Sequence, residues 1–275
     1  MRWKLSLCFI LVSTVSFGQF PQPNSTADIY HKLLKLKENT RVLYIAAHPD
    51  DENTRLISYM ENALYCRVAY LSLTRGDGGQ NLIGTEIGDG VGLLRTQELL
   101  QARRIDGGEQ FFTRAVDFGY SKSAEESLDK WGEEAILSDV VWIIRHYKPE
   151  VIITRFPPTS DAGHGHHESS ALLAAKAFDL AGDPKAFPNQ LKSVTTWQPS
   201  RMYFNASSWW DRTIGERALN NPDYAVVEAG DHAPLLGESY SQIAARSRSQ
   251  HRSQGFGSDY PYGLQQEYLQ YLKGS

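Results

Sequence analysis

Cysteine is nearly absent from this 275-residue chain: only Cys8 and Cys66 occur. Cys8 lies in an N-terminal segment read below as removable. That leaves Cys66 alone and excludes an internal disulfide and a cysteine-based zinc site. Cys66 opens an apolar run and reads as a small core residue. A basic surplus is missing too. Lys and Arg number 28 against 32 Asp and Glu, a formal net charge of -4, so nucleic acid is disfavoured as a partner. Past the N-terminus no run is long and apolar enough to span a bilayer, so no transmembrane segment is expected in the mature chain. Repeats and low-complexity linkers are lacking. With 41% hydrophobic and 22% charged residues, the composition is that of an ordinary globular protein. One core over residues 19–275, with a loop-rich C-terminal part, is the expected organisation.

The N-terminus reads as an export signal. Arg2 and Lys4 precede the apolar stretch Leu5 to Val15, which is too short to cross a membrane. Ser16-Phe17-Gly18 has the small-x-small pattern of a cleavage site, which puts the cut before Gln19. A buried N-terminal strand or an uncleaved anchor is the alternative. The expected location is periplasmic or secreted.

After this segment, strand and helix patterns alternate. "RVLYIAAH", "CRVAYLSL", "EQFF", "PEVIIT" and "SRMYFNAS" read as strands. Helices are expected near 27–36, over 52–64 and 91–105, as one long helix over 123–147, and over 167–181 and 237–252. Residues 182–235 read as long loops, and the tail after Gly255 has no clear assignment. The alternation implies an α/β, Rossmann-like fold with a mostly parallel sheet and helices on both faces. Ligands in such sheets bind beyond the carboxyl ends of the strands.

Two unusual stretches fall at such ends. "HPDDE" places His48 and three consecutive carboxylates, Asp50, Asp51 and Glu52, directly after a buried strand. "HGHH" places His164, His166 and His167 after another. Two histidines with one carboxylate and open positions suit a catalytic metal site rather than a closed structural one. A bound cation would also offset the repulsion among the three carboxylates. His31, His146, His232 and His251 read as ordinary core or surface histidines. In "TRGDGGQN" the glycines suggest a flexible wall, and Arg75 is a candidate substrate contact. Trp209-Trp210 suits sugar stacking, with core packing as the plainer reading.

"AHPDDE" followed by a later His-x-x-His resembles the PIG-L/LmbE-like N-acetylglucosaminyl deacetylases, over roughly residues 40–180. The resemblance implies one zinc ion per chain, held by His48, Asp51 and His167. It implies Asp50 as general base and His164 as the group that steadies the oxyanion or protonates the leaving amine. Arg95 and Asp117 stand where the family has sugar-binding residues. His166 departs from the commoner acidic or small residue and leaves open which histidines bind metal. Glu52 reads as a supporting charge. The implied reaction removes an acetyl group from an N-acetylated amino sugar or glycan. The rivals are deacylation of a non-sugar amide conjugate, a glycan-binding protein without turnover, and a non-haem iron oxygenase.

Export has a direct check. Protein recovered from its native host should begin at or near Gln19 by mass spectrometry. Chains retaining Met1 in the cytosolic fraction would count against cleavage.

Overall fold

The computed structural model describes residues 25–257 and 259–275; the expected export segment, residues 1–18, lies outside the described residues. Helix α1 (Thr26–Lys35) starts at a capping box, in which Ser25 and Asp28 satisfy each other's backbone N–H. Then follow β1 (Arg41–Ala46), α2 (Thr54–Asn62), β2 (Arg67–Ser72), α3 (Asp89–Asp106) and β3 (Glu109–Phe112). Next come α4 (Ala124–Trp131), α5 (Glu133–Tyr147), β4 (Val151–Thr154), α6 (Gly165–Leu180) and β5 (Arg201–Ala206). The chain continues through α7 (Ile214–Leu219), β6 (Tyr224–Glu228), the short pair β7 (His232–Ala233) and β8 (Glu238–Ser239), α8 (Tyr240–Arg248) and β9 (Gln266–Gly274).

The central sheet has the order β3-β2-β1-β4-β5-β9-β6. Its first five strands are parallel, as the alternating pattern predicts. Strand β9 is antiparallel to both of its neighbours, so the sheet is mixed at that side. Alternate residues of each parallel strand enter opposite layers. Leu43, Ile45, Ala69 and Leu71 pack with Val140, Ile144, Leu173 and Ala177 of α5 and α6. Val42, Tyr44, Val68 and Tyr70 pack with Leu56, Ile57, Met60 and Leu99 of α2 and α3. Cys66 is buried in this second layer. Both faces of the sheet are thus covered, which is why its strands read as continuous apolar runs.

Three expectations need correction. The helix expected over 123–147 is two helices, because Gly132 adopts φ +75 and closes α4 before α5 begins with Glu133 and Glu134. The loops expected over 182–235 contain α7 and β6. The unassigned tail forms β9, between β5 and β6.

Arg145 ties α5 to the end of α6. It is fully buried, and its guanidinium donates to the carbonyls of Leu180 (3.2 Å), Ala181 (3.1 Å), Asp183 (2.8 Å) and Ala186 (2.9 Å). A positive group at this position also complements the carboxyl end of α6. Arg145→Met should destabilise the fold by about 3 kcal/mol or more, since it strands several buried carbonyls. Urea unfolding followed by tryptophan fluorescence measures this; a loss under about 0.5 kcal/mol would show that the carbonyls find other donors.

Candidate metal centre and active site

The sheet order reverses direction between β1 and β4, and the crevice beyond their carboxyl ends is where such folds bind ligands. Both unusual stretches lie there. The loop after β1 carries His48 to Asn53, and Asn53 caps α2 by accepting from Leu56 N–H (3.1 Å). Within the loop Asp50 has φ +95, a region that residues other than glycine rarely occupy. Surrounding groups hold it there. Glu52 accepts from Asp50 N–H (2.9 Å), and Arg248 donates to Asp50 O (3.2 Å). Arg95 donates to Pro49 O (2.5 Å) and to Asp50 Oδ1 (2.8 Å). Burial holds the Asp50 carboxyl above the usual carboxylate range; Arg95 opposes this and Asp51 adds to it.

Asp51 points differently. Its Oδ2 lies 3.2 Å from His48 Nδ1 and accepts from His48 N–H (2.8 Å), while Oδ1 lies 3.7 Å from His167 Nε2. Burial alone would raise its pKa, but His167 and His48 outweigh burial and hold it well below the ordinary value. His167 stacks on Phe156 at 3.8 Å, and its Nδ1–H donates to Ala162 O (3.3 Å), which leaves Nε2 as a lone pair toward Asp51. Burial, then His48 and His164, holds His167 at about 4, so the ring is neutral and able to ligate.

His164 is the residue before α6, and its Nδ1 lies 3.2 Å from His166 N. Its Nε2 lies 3.3 Å from Ser121 N; a neutral ring has one lone pair and satisfies one of these donors at a time. Gly165 is required beside it, because a Cβ there would overlap Ser123 O and Ser121 Oγ. His166 is fully buried against Phe118 and Trp131. Its Nδ1 lies 3.1 Å from His48 Nε2, and its Nε2 has no partner. Among the described residues two donor sets therefore occur, His48–Asp51–His167 and His48–His164–His166, each within 4.8 Å. The first offers two imidazoles and a carboxylate, all partly exposed, and fits a divalent metal with room for further ligands.

The expected substrate contacts fare differently. Arg95 is buried, and its guanidinium lies behind Asp50; Gly76 and Gly79 approach it so closely that a Cβ on either would overlap it. The glycine loop is accordingly a packed cover over Arg95 rather than a flexible wall. Asp117 is also buried, with Oδ1 accepting from Gly119 N–H (2.8 Å) and Oδ2 3.8 Å from His48 Nε2. Arg75 lies over the Phe112 ring (4.0 Å) and donates to Thr96 (3.2 Å), which turns its guanidinium to these groups and not to the histidines. Trp209 is 86% exposed, so core packing does not describe it, whereas Trp210 lies 5.9 Å from Phe156.

One set of partners is not visible in the sequence. Glu52 accepts from His251 Nε2 (2.8 Å) and from Arg103 (3.4 Å), all three being buried. Burial alone would raise Glu52, but His251 and Arg103 overcome it and hold the carboxyl at about 2. His251, read as an ordinary histidine, thus supports the loop from 199 positions away.

The family described as PIG-L, GlcNAc-PI de-N-acetylase, matches residues 43–178, which include both motifs. This chain belongs to the PIG-L family. Among curated relatives, the 1D-myo-inositol 2-acetamido-2-deoxy-alpha-D-glucopyranoside deacetylase of Corynebacterium urealyticum is 31% identical, over 68% of this chain and 62% of that one. The mycothiol S-conjugate amidase of Streptomyces coelicolor is 25% identical, over 72% of this chain and 70% of that one. In fold, the chain is similar to the N,N'-diacetylchitobiose deacetylase of Pyrococcus horikoshii, with a TM-score of 0.55, 16% identity, and coverage of 86% and 82%. The PIG-L match ends before Arg248 and His251, so these two supports of the loop come from outside it.

The two donor sets make different predictions for metal content. His48→Ala and His167→Ala should lose most of the metal, since removing one of three ligands greatly weakens binding. His166→Ala should keep about one zinc per chain, the stoichiometry of a single mononuclear site. Elemental analysis after zinc loading and desalting decides; loss in His166→Ala with retention in His167→Ala would assign the metal to the other set.

Proposed function

We propose that this chain is a metal-dependent N-deacetylase that hydrolyses the acetamide of an N-acetylglucosamine-type substrate, and that it acts after export. The single observation that carries this reading is the opposed orientation of two adjacent carboxylates. Asp51 sits between His48 and His167, while Asp50 is turned aside by its positive φ, partly exposed and beside the donor set. A group that holds metal and a group free to take a proton are therefore separate, which hydrolysis requires and metal storage does not.

The residues divide the work as follows. His48, Asp51 and His167 would hold the ion, and zinc suits a set of two imidazoles and one carboxylate. When bound, the ion supplies Lewis acidity that makes water a usable nucleophile near neutral pH. Asp50 accepts the proton of the attacking water, and Arg95 fixes the orientation of its carboxylate. His164, in ring contact with His48 and His167, is placed to donate to the developing oxyanion or to the departing amine. Arg95 and Asp117 shape the cluster from behind, so sugar contacts made by either require the loop to rearrange. The family membership and the relatives' names support amide hydrolysis, and an amide in a non-sugar conjugate is the second reading.

Asp50→Asn should retain zinc and lose deacetylation by roughly 10²–10⁴-fold, the usual worth of a general base. His164→Ala should behave similarly. Amine release from N-acetylglucosamine-containing substrates, paired with zinc content, is the measurement. Full activity in zinc-loaded Asp50→Asn would sink the mechanism. Turnover of acylated non-sugar amines alone would favour the second reading.

A further inference from the structure

A second concavity adjoins the metal cluster without including any of its ligands. It encloses about 300 Å³ between the start of α2, the end of α8 and Phe256, Gly257, Asp259, Tyr260 and Pro261, beyond the carboxyl ends of β4 and β5. Three arginines, Arg55, Arg155 and Arg248, line it. Its carboxylates already have partners. Glu267 accepts from Arg55 (2.8 Å) and Asn53 (2.7 Å), and Glu52 accepts from His251 and Arg103. Asp259 also has a partner of its own.

Arg155 and Arg248 are different. Both are half-buried, and none of the ion pairs among the described residues includes either. Arg155 lies over the Trp210 ring at 4.8 Å, and Arg248 over the Phe256 ring at 4.0 Å. A ring against its face leaves a guanidinium's N–H edge for other partners, and Arg155 shares its edge with the buried Tyr44 hydroxyl. Arg248 uses one donor on Asp50 O. Ser241, buried in the same wall, has a hydroxyl without a partner. Half-buried guanidinium groups without a direct ion-pair partner are costly, and an oxyanion with several acceptor atoms is the group that removes the cost.

We propose that this pocket binds a carboxylate or phosphate carried by the part of the substrate that leaves with the amine. The proposal rests on the deacetylase reading above and adds to it the charge of the substrate. Arg248 connects the two places: it lines the pocket and touches the backbone of Asp50. A substrate spanning them presents its acetamide to Asp50 and its anionic end to Arg155 and Arg248. Arg248, Ser241 and Phe256 lie beyond the PIG-L match while Arg155 lies within it, so the subsite is built from both parts of the chain.

The test compares kcat/KM of the zinc-loaded full chain for N-acetylglucosamine, its 1-phosphate and its 3-O-lactyl ether. One charged substrate should be preferred roughly 10- to 100-fold, the range of a charge-assisted hydrogen bond. The leading one identifies phosphate or carboxylate. Arg155→Gln should collapse that ratio, chiefly through KM; Arg248→Gln gives an independent reading if the first variant does not fold. Equal kcat/KM for all three, or a preference untouched by Arg155→Gln, overturns the proposal. If none is turned over, the deacetylase reading fails and the pocket is judged by binding alone. Inorganic phosphate and lactate are then titrated against wild type and Arg155→Gln, followed by tryptophan fluorescence. An affinity roughly tenfold weaker in the variant keeps the pocket, and equal affinities or no binding remove it.

Discussion

Three consecutive carboxylates at the end of a buried strand form an arrangement that must be neutralised before anything else can stand. Asp50, Asp51 and Glu52 each receive a different set of partners from a different part of the fold. Arg95 of α3 meets Asp50, His48 and His167 flank Asp51, and Arg103 of α3 with His251 after α8 encloses Glu52. The loop is thereby a junction at which α3, α6 and the C-terminal segment are fastened to β1. Charges this close at low dielectric would otherwise repel strongly, and removing Arg95 leaves the Asp50 carboxylate without its ion-pair partner.

This division also explains how chemically identical neighbours acquire different behaviour. The two aspartates differ by the backbone turn between them, with Asp50 in the left-handed region and Asp51 folded back on His48. That turn is held by Glu52 and by two arginines, Arg95 and Arg248, from distant parts of the chain. Strain at one residue is thus maintained by several bonds, and it turns the two neighbouring carboxylates in different directions. His166 extends the same logic inward. It occupies a closed aromatic pocket, contacts His48 Nε2 and fixes which way that ring faces.

Much of the fold was legible because β1, β2 and β4 are buried on both faces and their apolar runs carry a clear signal. The break at Gly132 was less legible, since a single glycine within a helical pattern is compatible with a continuous helix. Strand β9 was not legible at all. "QEYLQYLKG" has no Val, Ile or Thr, and it is extended because β5 and β6 pair with it on either side. Arg75, Arg95 and Asp117 show the same limit at the site. Their residue types suit a sugar, but what they touch depends on neighbours far away in sequence.

By itself the sequence determined the alternating α/β order, the placement of both motifs at strand ends, and the family. Those properties are local: they follow from short apolar runs and from residues a few positions apart. The tertiary structure alone decided that β1 and β4 are adjacent at the reversal of strand order, which brings His48 and His167 together across more than a hundred residues. It alone decided that His251 and Arg248 reach back to the loop, and that Arg155 and Arg248 share a pocket while entering none of the ion pairs among the described residues. Pairings of this kind depend on packing the helices onto a twisted sheet, and no short stretch of residues encodes them.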